Sequence, residues 1–119
     1  MDVRPFRRED AARWVALVRE LEPAIVQTPP GLLHTLDTLP ARARNRFWTA
    51  WSGGDLVGVA LGRLAWWTDR DDLAYVWAGV RRDARGRGVG ARLYALAEAH
   101  VRGLGARRVE TWTGGDDAG

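Results

Sequence analysis

The chain has 119 residues, 46% of them hydrophobic and 28% charged, with a net charge of +3, a length and composition typical of one ordinary globular domain. It contains no cysteine, which excludes a disulfide framework and a thiolate metal site. No apolar run approaches the roughly 20 residues needed to span a bilayer, and Met1-Asp2-Val3-Arg4-Pro5 followed by Arg7-Arg8-Glu9-Asp10 does not resemble a signal peptide; a cytoplasmic protein with no membrane partner is the expectation.

Every one of the 18 basic residues is arginine, set against 15 acids. Arginine's high pKa inflates the isoelectric point, and the basic residues are dispersed among acids instead of forming a stripe, so nucleic acid is not the expected partner. One local excess stands out. Arg81, Arg82, Arg85 and Arg87 face only Asp83 and surround a run of glycines, which points to a small polyanion.

In chain order, Val3 and the Pro5-Phe6 boundary suggest a short first strand, and Asp10 is placed to cap a helix with Trp14, Leu17, Val18 and Leu21 on one stripe, ended by Pro23. Thr28-Pro29-Pro30-Gly31 predicts a turn, with Leu32, Leu33 and Leu36 on a second short helix closing before Pro40. Residues 46–51 and 56–61 flank Ser52-Gly53-Gly54-Asp55, a strong hairpin signal. From about Asp72 to Val80 a strand places Tyr75, Trp77 and Gly79 on one face and Ala74, Val76, Ala78 and Val80 on the other. Both faces are apolar, so this strand should be central. Leu93, Leu96, Ala97, Val101 and Leu104 recur at helical spacing, with Gly103 and Gly105 as the stop. Arg108 to Thr113 forms a last strand.

Between the central strand and the last helix lies Arg85-Gly86-Arg87-Gly88-Val89-Gly90-Ala91. Three alternating glycines would each cost about 1 kcal/mol inside a helix, so the segment is a loop entering one. Bare backbone and the unpaired N–H groups of a helix start suit an anion, and a pyrophosphate fits.

The stretch from Val80 through Arg85-Gly86-Arg87-Gly88-Val89-Gly90 resembles the strand-loop-helix signature of the GNAT superfamily of N-acetyltransferases. Its core is Gln or Arg, two residues, Gly, one residue, then Gly or Ala, and Arg85, Gly88 and Gly90 match it. The element order from Val3 to about Thr113 is similar as well. This resemblance implies an α/β (α+β) fold whose mixed, mostly antiparallel sheet is flanked by helices, with acetyl-CoA as cosubstrate and no metal. It implies that Arg85, Gly86, Arg87, Gly88, Val89, Gly90 and Ala91 hold the pyrophosphate, and that Ala78, Gly79 and Val80 pair with pantetheine. Transfer would then be direct, to a primary amine on a small molecule or peptide. Two alternatives stay open: the glycines make only a tight turn, or Gly86, Gly88 and Ala91 belong to a dinucleotide fingerprint with Glu110 as its acidic ribose ligand.

The catalytic residues are not legible. A lysine-like amine of pKa about 10.4 costs roughly 4.6 kcal/mol to deprotonate at pH 7, and family members often place a carboxylate for this on the fourth strand. Here that stretch is Leu73-Ala74-Tyr75-Val76-Trp77. Asp71 and Asp72 precede it as turn residues, with Asp72 a weak candidate base. The family's usual acid, a tyrosine beyond the fifth strand, has no counterpart, which leaves Tyr75 as a weak candidate. His34 is a candidate for lining an acceptor site, and His100 sits on a helix without evident partners. Most of the seven tryptophans should be core, with one or two at the edge of a cleft.

The GNAT pattern normally continues past the fifth strand with a helix and two strands. Residues 1–119 are therefore expected to form a single acetyl-CoA-binding domain that is C-terminally incomplete, its sheet completed by a missing C-terminal segment or by a second copy in a homodimer. The alternative function is a non-catalytic CoA-binding or interaction module, such as a degenerate or partial GNAT domain.

Overall fold

A computed structural model describes residues 1–70 and 72–111. Five strands form one sheet in the spatial order of the sequence: β1 (Asp2–Pro5), β2 (Arg46–Ser52), β3 (Asp55–Leu64), β4 (Leu73–Val80) and β5 (Arg108–Glu110). Pairing is antiparallel from β1 to β4 and parallel between β4 and β5. Helices α1 (Ala11–Leu21) and α2 (Pro29–Thr38) cover one face, and α3 (Val89–Gly103) covers the other. This is the expected mixed architecture, and antiparallel β1–β4 rules out the doubly wound parallel sheet of a dinucleotide fold.

The α3 face is dense. Leu93, Ala97 and Val101 are fully buried against Ala60, Ala74 and Val76. Gly58 lets the helix approach, since a Cβ there would lie 2.7 Å from Leu93 Cδ1. Leu96, expected on this stripe, is exposed instead, because Leu93, Ala97 and Val101 already fill the arc that meets the sheet. On the opposite face Trp14 stacks on Phe47 with centroids 4.4 Å apart, and Phe6 meets both rings edge-on.

Local chemistry departs from the sequence expectations at four places. Helix α2 begins at Pro29 rather than after the prolines: Thr28 caps it by accepting from the Gly31 amide at 3.1 Å, and the prolines occupy the first turn, where no N–H is missed. Asp10 does not cap α1 with its side chain. Its buried carboxylate instead accepts two hydrogen bonds from Arg4, at 2.8 and 2.9 Å, and one from the Arg7 amide at 2.8 Å, tying β1 to the start of α1. His100 is partnered: its Nε2 lies 2.7 Å from the Arg44 carbonyl and its ring meets Trp48 edge-on. A carbonyl can only accept, so Nε2 carries the proton. Finally, β5 is described as Arg108–Glu110; Trp112 and Thr113, assigned to it from sequence, lie outside the described residues, as does Asp71.

Burial alone would raise the Asp10 carboxyl, but the Arg4 hydrogen bonds and the Arg7 amide outweigh it and hold the group below the ordinary carboxylate value. A depressed folded-state pKa stabilises the fold above the unfolded value of about 3.9 and loses that contribution as pH falls through the lower folded value. Asp10→Asn should therefore cost about 1–3 kcal/mol at pH 7, less than a fully buried pair because Arg4 keeps some solvent. Urea unfolding of both proteins is expected to show that gap at pH 7 and its closing as pH falls through the lowered folded-state value; a constant gap would assign the loss to shape instead of charge.

Candidate active site

Strand β5 pairs with β4 over only three positions, Leu73 with Arg108, Ala74 with Val109 and Tyr75 with Glu110. The start of this pairing is pinned where the Arg107 and Arg108 amides both donate to the Asp72 carbonyl, at 2.8 and 2.9 Å. From Val76 onward no described residue pairs with that edge of β4, so the sheet forks.

Backbone parity shows which groups the fork exposes. The Ala65 amide donates to the Leu73 carbonyl and the Arg81 amide donates to the Val57 carbonyl, so odd-numbered residues of β4 turn their backbone groups toward β3. Even-numbered residues turn theirs toward the fork. Of Ala78, Gly79 and Val80, it is Ala78 that presents both N–H and C=O to the open edge; Gly79 faces β3, and the Val80 carbonyl accepts from Arg85 Nε at 3.0 Å.

That last bond folds the chain after β4 into the glycine loop. A turn at Arg82–Ala84 buries Ala84, and Arg85 reaches back to Val80. Gly86 and Gly88 then take φ of 81° and 79°, in the left-handed region, and Gly88 becomes the residue before α3. Having no side chain, Gly88 leaves the first-turn amides of α3 uncapped, and Gly86, Arg87, Gly88 and Ala91 are exposed. Val89 is buried and anchors the turn, while Gly90 keeps the helix close to β4: a Cβ there would lie 3.2 Å from Val80 Cγ2. The result is a solvent-exposed stretch of backbone that continues from the free edge of β4 into the start of α3. Helix-terminal amides of this kind favour an anion by roughly 0.3–1 kcal/mol when exposed.

The α1/α2 face of the fork holds the other candidates. Tyr75 is half-buried with its ring 5.1 Å from that of exposed Trp67. Asp72 sits before β4, and its carboxylate takes Arg70 Nε at 3.3 Å and Nη2 at 3.2 Å. The bond and charge of Arg70 hold it below the ordinary value, which favours a structural role over a proton acceptor. His34 is exposed on α2 and does not line the cavity beneath that helix, whereas Trp14 and Trp77 do. Glu110 is a carboxylate that β4 itself does not supply: parallel register puts it beside Tyr75 on the same face, half-buried, with Arg108 Nε at 3.2 Å. The alternation Arg108, Val109, Glu110 was the available signal. Among the described residues no three His, Asp or Glu side chains gather in a group able to hold a metal ion, and no helix is long and apolar enough to cross a membrane.

Residues 11–119 match the acetyltransferase (GNAT) family. The chain belongs to this family. A blasticidin-S acetyltransferase of Streptomyces morookaense is 44% identical over 62 residues, which span 50% of this chain and 43% of that relative. The chain thus matches less than half the length of this curated relative. Among solved structures, an N-acetyltransferase from Staphylococcus aureus superposes with a TM-score of 0.79 at 15% identity, covering 98% of this chain and 75% of that one. An aminoglycoside N-acetyltransferase in complex with CoA gives 0.73 at 20% identity, covering 98% and 78%. At such identities these two likenesses bear on the fold, which is that of GNAT acetyltransferases.

The left-handed conformation at Gly88 gives a direct test of the loop. Gly88→Ala adds no charge yet forces a Cβ into a region costing about 1–2 kcal/mol, and it should lower stability by about that amount. Thermal or urea unfolding would measure it; an unchanged midpoint would mean that the loop relaxes into another conformation at no cost.

Proposed function

We propose that residues 1–119 form one acetyl-CoA-binding domain of an N-acetyltransferase that transfers acetyl directly to a primary amine. The observation that carries this reading is the fork: a free β4 edge at Ala78 runs without interruption into uncapped amides at the start of α3. An extended pantetheine arm adds a strand-like partner to the first, and a pyrophosphate meets the second. Arg85 acts by holding the loop against Val80, and the amides from Gly86 to Ala91 face the phosphates. The CoA complex of the aminoglycoside acetyltransferase supports the choice of cofactor. Relatives named for blasticidin-S and for aminoglycosides support a small-molecule acceptor.

With the thioester at the fork, the amine nitrogen approaches from the α1/α2 face and attacks the carbonyl carbon. A C–N bond forms, the C–S bond breaks, and the thiolate leaves, taking up a proton. The amine must first lose one. Glu110, level with Tyr75 where the strands part, is our candidate acceptor for that proton, directly or through water, and Tyr75 is the candidate donor to the thiolate. A non-catalytic CoA-binding module remains the rival, favoured by the absence of any carboxylate on β4.

Calorimetric titration with CoA tests the cofactor site. Gly88→Glu and Gly90→Glu each place a carboxylate where the phosphates would lie and should weaken binding at least tenfold; equal affinity in both variants would remove the loop from the site. Turnover with a panel of amines tests the chemistry. Glu110→Gln should reduce kcat by about 10²–10⁴-fold, with CoA affinity unchanged. Binding of CoA without turnover of any amine would favour the rival.

A further inference from the structure

Arg63 lies on β3 directly opposite Tyr75 and shares the α1/α2 face with Val59, Leu61 and Trp77. It is half-buried beside a largely apolar lining, yet it carries a charge that arginine does not shed. Its Nε is buried without a hydrogen bond, and among the described residues no hydrogen bond or ion pair reaches its guanidinium. Elsewhere in the chain Arg4, Arg8, Arg70, Arg81, Arg102 and Arg108 each hold a carboxylate, most of them at the surface, where a partner is least needed. Arg63 differs from the other arginines that lack an acid among the described residues in that its Nε is buried without a hydrogen-bond partner.

Arg63 also lines a cavity of about 200 Å³ beneath α1 and α2, whose walls include Trp14, Leu32, Phe47, Leu61 and Trp77 and no Asp or Glu. An engineered apolar cavity of about 150 Å³ suffices for benzene, whereas pockets that enclose drug-sized ligands run to about 300–1,000 Å³. Space here accommodates a group of about one ring or one branched aliphatic chain. An arginine fork with its Nε buried at the wall of such a space matches a carboxylate, because the planar guanidinium offers paired donors to two oxygens and the apolar lining strengthens the contact. A neutral carbonyl at the same place would accept without balancing the charge, and a cationic group would face a like charge. Burial disfavours the charged form of Arg63, and a bound anion would relieve that penalty.

We propose that the acceptor of this chain is an amine that also bears a carboxylate, with Arg63 the residue that binds the carboxylate and the Trp14–Trp77 cavity the receptor for its apolar body. An amino acid with an aromatic or branched aliphatic side chain has this chemistry. The word acceptor rests on the acetyl-transfer reading above; the carboxylate site itself does not.

Binding can therefore be followed without cofactor or turnover, by calorimetry and by the fluorescence of the tryptophans in the cavity wall. The probes are L-phenylalanine, 3-phenylpropionate, L-phenylalanine amide and 2-phenylethylamine, with the leucine counterparts alongside. The two carboxylates should bind at least tenfold more tightly than the amide and the amine. Arg63→Met should erase that difference while leaving CoA affinity intact, and Arg63→Lys should retain part of it, since lysine keeps the charge but loses the fork. Equal binding of acid and amide, failure of either carboxylate to bind at millimolar concentration, or discrimination that survives in Arg63→Met would each overturn the proposal. If Arg63→Met does not fold, the contrast between acid and amide on the unaltered protein decides. Loss of CoA binding by the unaltered protein would instead count against the acetyl-transfer reading alone.

Discussion

Parallel pairing between β4 and β5 lasts for three residues, and the arrangement of the site follows from where it stops. The return from α3 is closely determined: Gly105 adopts φ of 103°, the Ala106 amide donates to the Val101 carbonyl, and Arg107 and Arg108 dock on Asp72. These contacts fix β5 at the N-terminal end of β4 and leave the C-terminal end without a described neighbour. A strand edge in the middle of a fold is costly to leave dry, since each buried, unsatisfied backbone group forfeits about 1–3 kcal/mol. Such an edge must meet water or a ligand with extended hydrogen-bonding geometry. Its continuation into the loop before α3 joins a row of backbone donors and acceptors to an anion-favouring helix end, so one chain segment, Ala78 to Ala91, presents both.

The two faces of the sheet have been put to different uses. Against α3 the side chains are small or aliphatic and completely enclosed, with Val76, Ala97 and Val101 each at 0% exposure, and helix and strand approach closely enough that Gly58 has no room for a Cβ. That face holds the helix start rigid. Toward α1 and α2 the packing is made from large rings that stack without filling all the volume, and the connection between those helices carries Ile25 and Gln27 along the rim of the cavity. A few rigid aromatic walls leave such a space more readily than a close-packed aliphatic layer does.

Most of the element order was legible because each segment carries its own local signal: the hairpin through Gly53-Gly54, the 3.6 periodicity of Leu93, Ala97 and Val101, and the doubly apolar β4. Errors arose where a side chain had two possible partners. Asp10 stands where a helix cap should, but Arg4, six residues earlier, outcompetes the helix amides once β1 is in place. Thr28-Pro29-Pro30-Gly31 has turn composition, yet proline is equally at home in a helix's first turn. Glu110 and Arg63 gain their meaning only from register, through Tyr75, which lies opposite both on neighbouring strands. Register between distant strands is not a property of either segment alone. The glycine loop was readable as a loop entering α3 because its backbone conformation is declared directly by Gly86 and Gly88.

Which groups would meet a phosphate at the proposed loop site bears on how the chain handles its positive charge. Four arginines cluster there in sequence, and a guanidinium clamp would be the simple inference. In the fold, Arg81 is engaged by Asp83 at 2.6 Å and Arg85 directs Nε to the Val80 carbonyl at 3.0 Å, while Arg87 lies exposed on the loop. What the loop itself presents is therefore chiefly amide dipoles, with Arg85 tying it back to Val80. Dipoles fixed by covalent geometry need no side-chain ordering when an anion arrives, whereas each long side chain recruited to the purpose loses rotamer entropy of up to about 2 kcal/mol. They also act over a short range and discriminate by shape, so a ligand must thread its phosphates into the turn to profit from them, and a chain with an isoelectric point of about 10.5 avoids making that turn a general trap for polyanions.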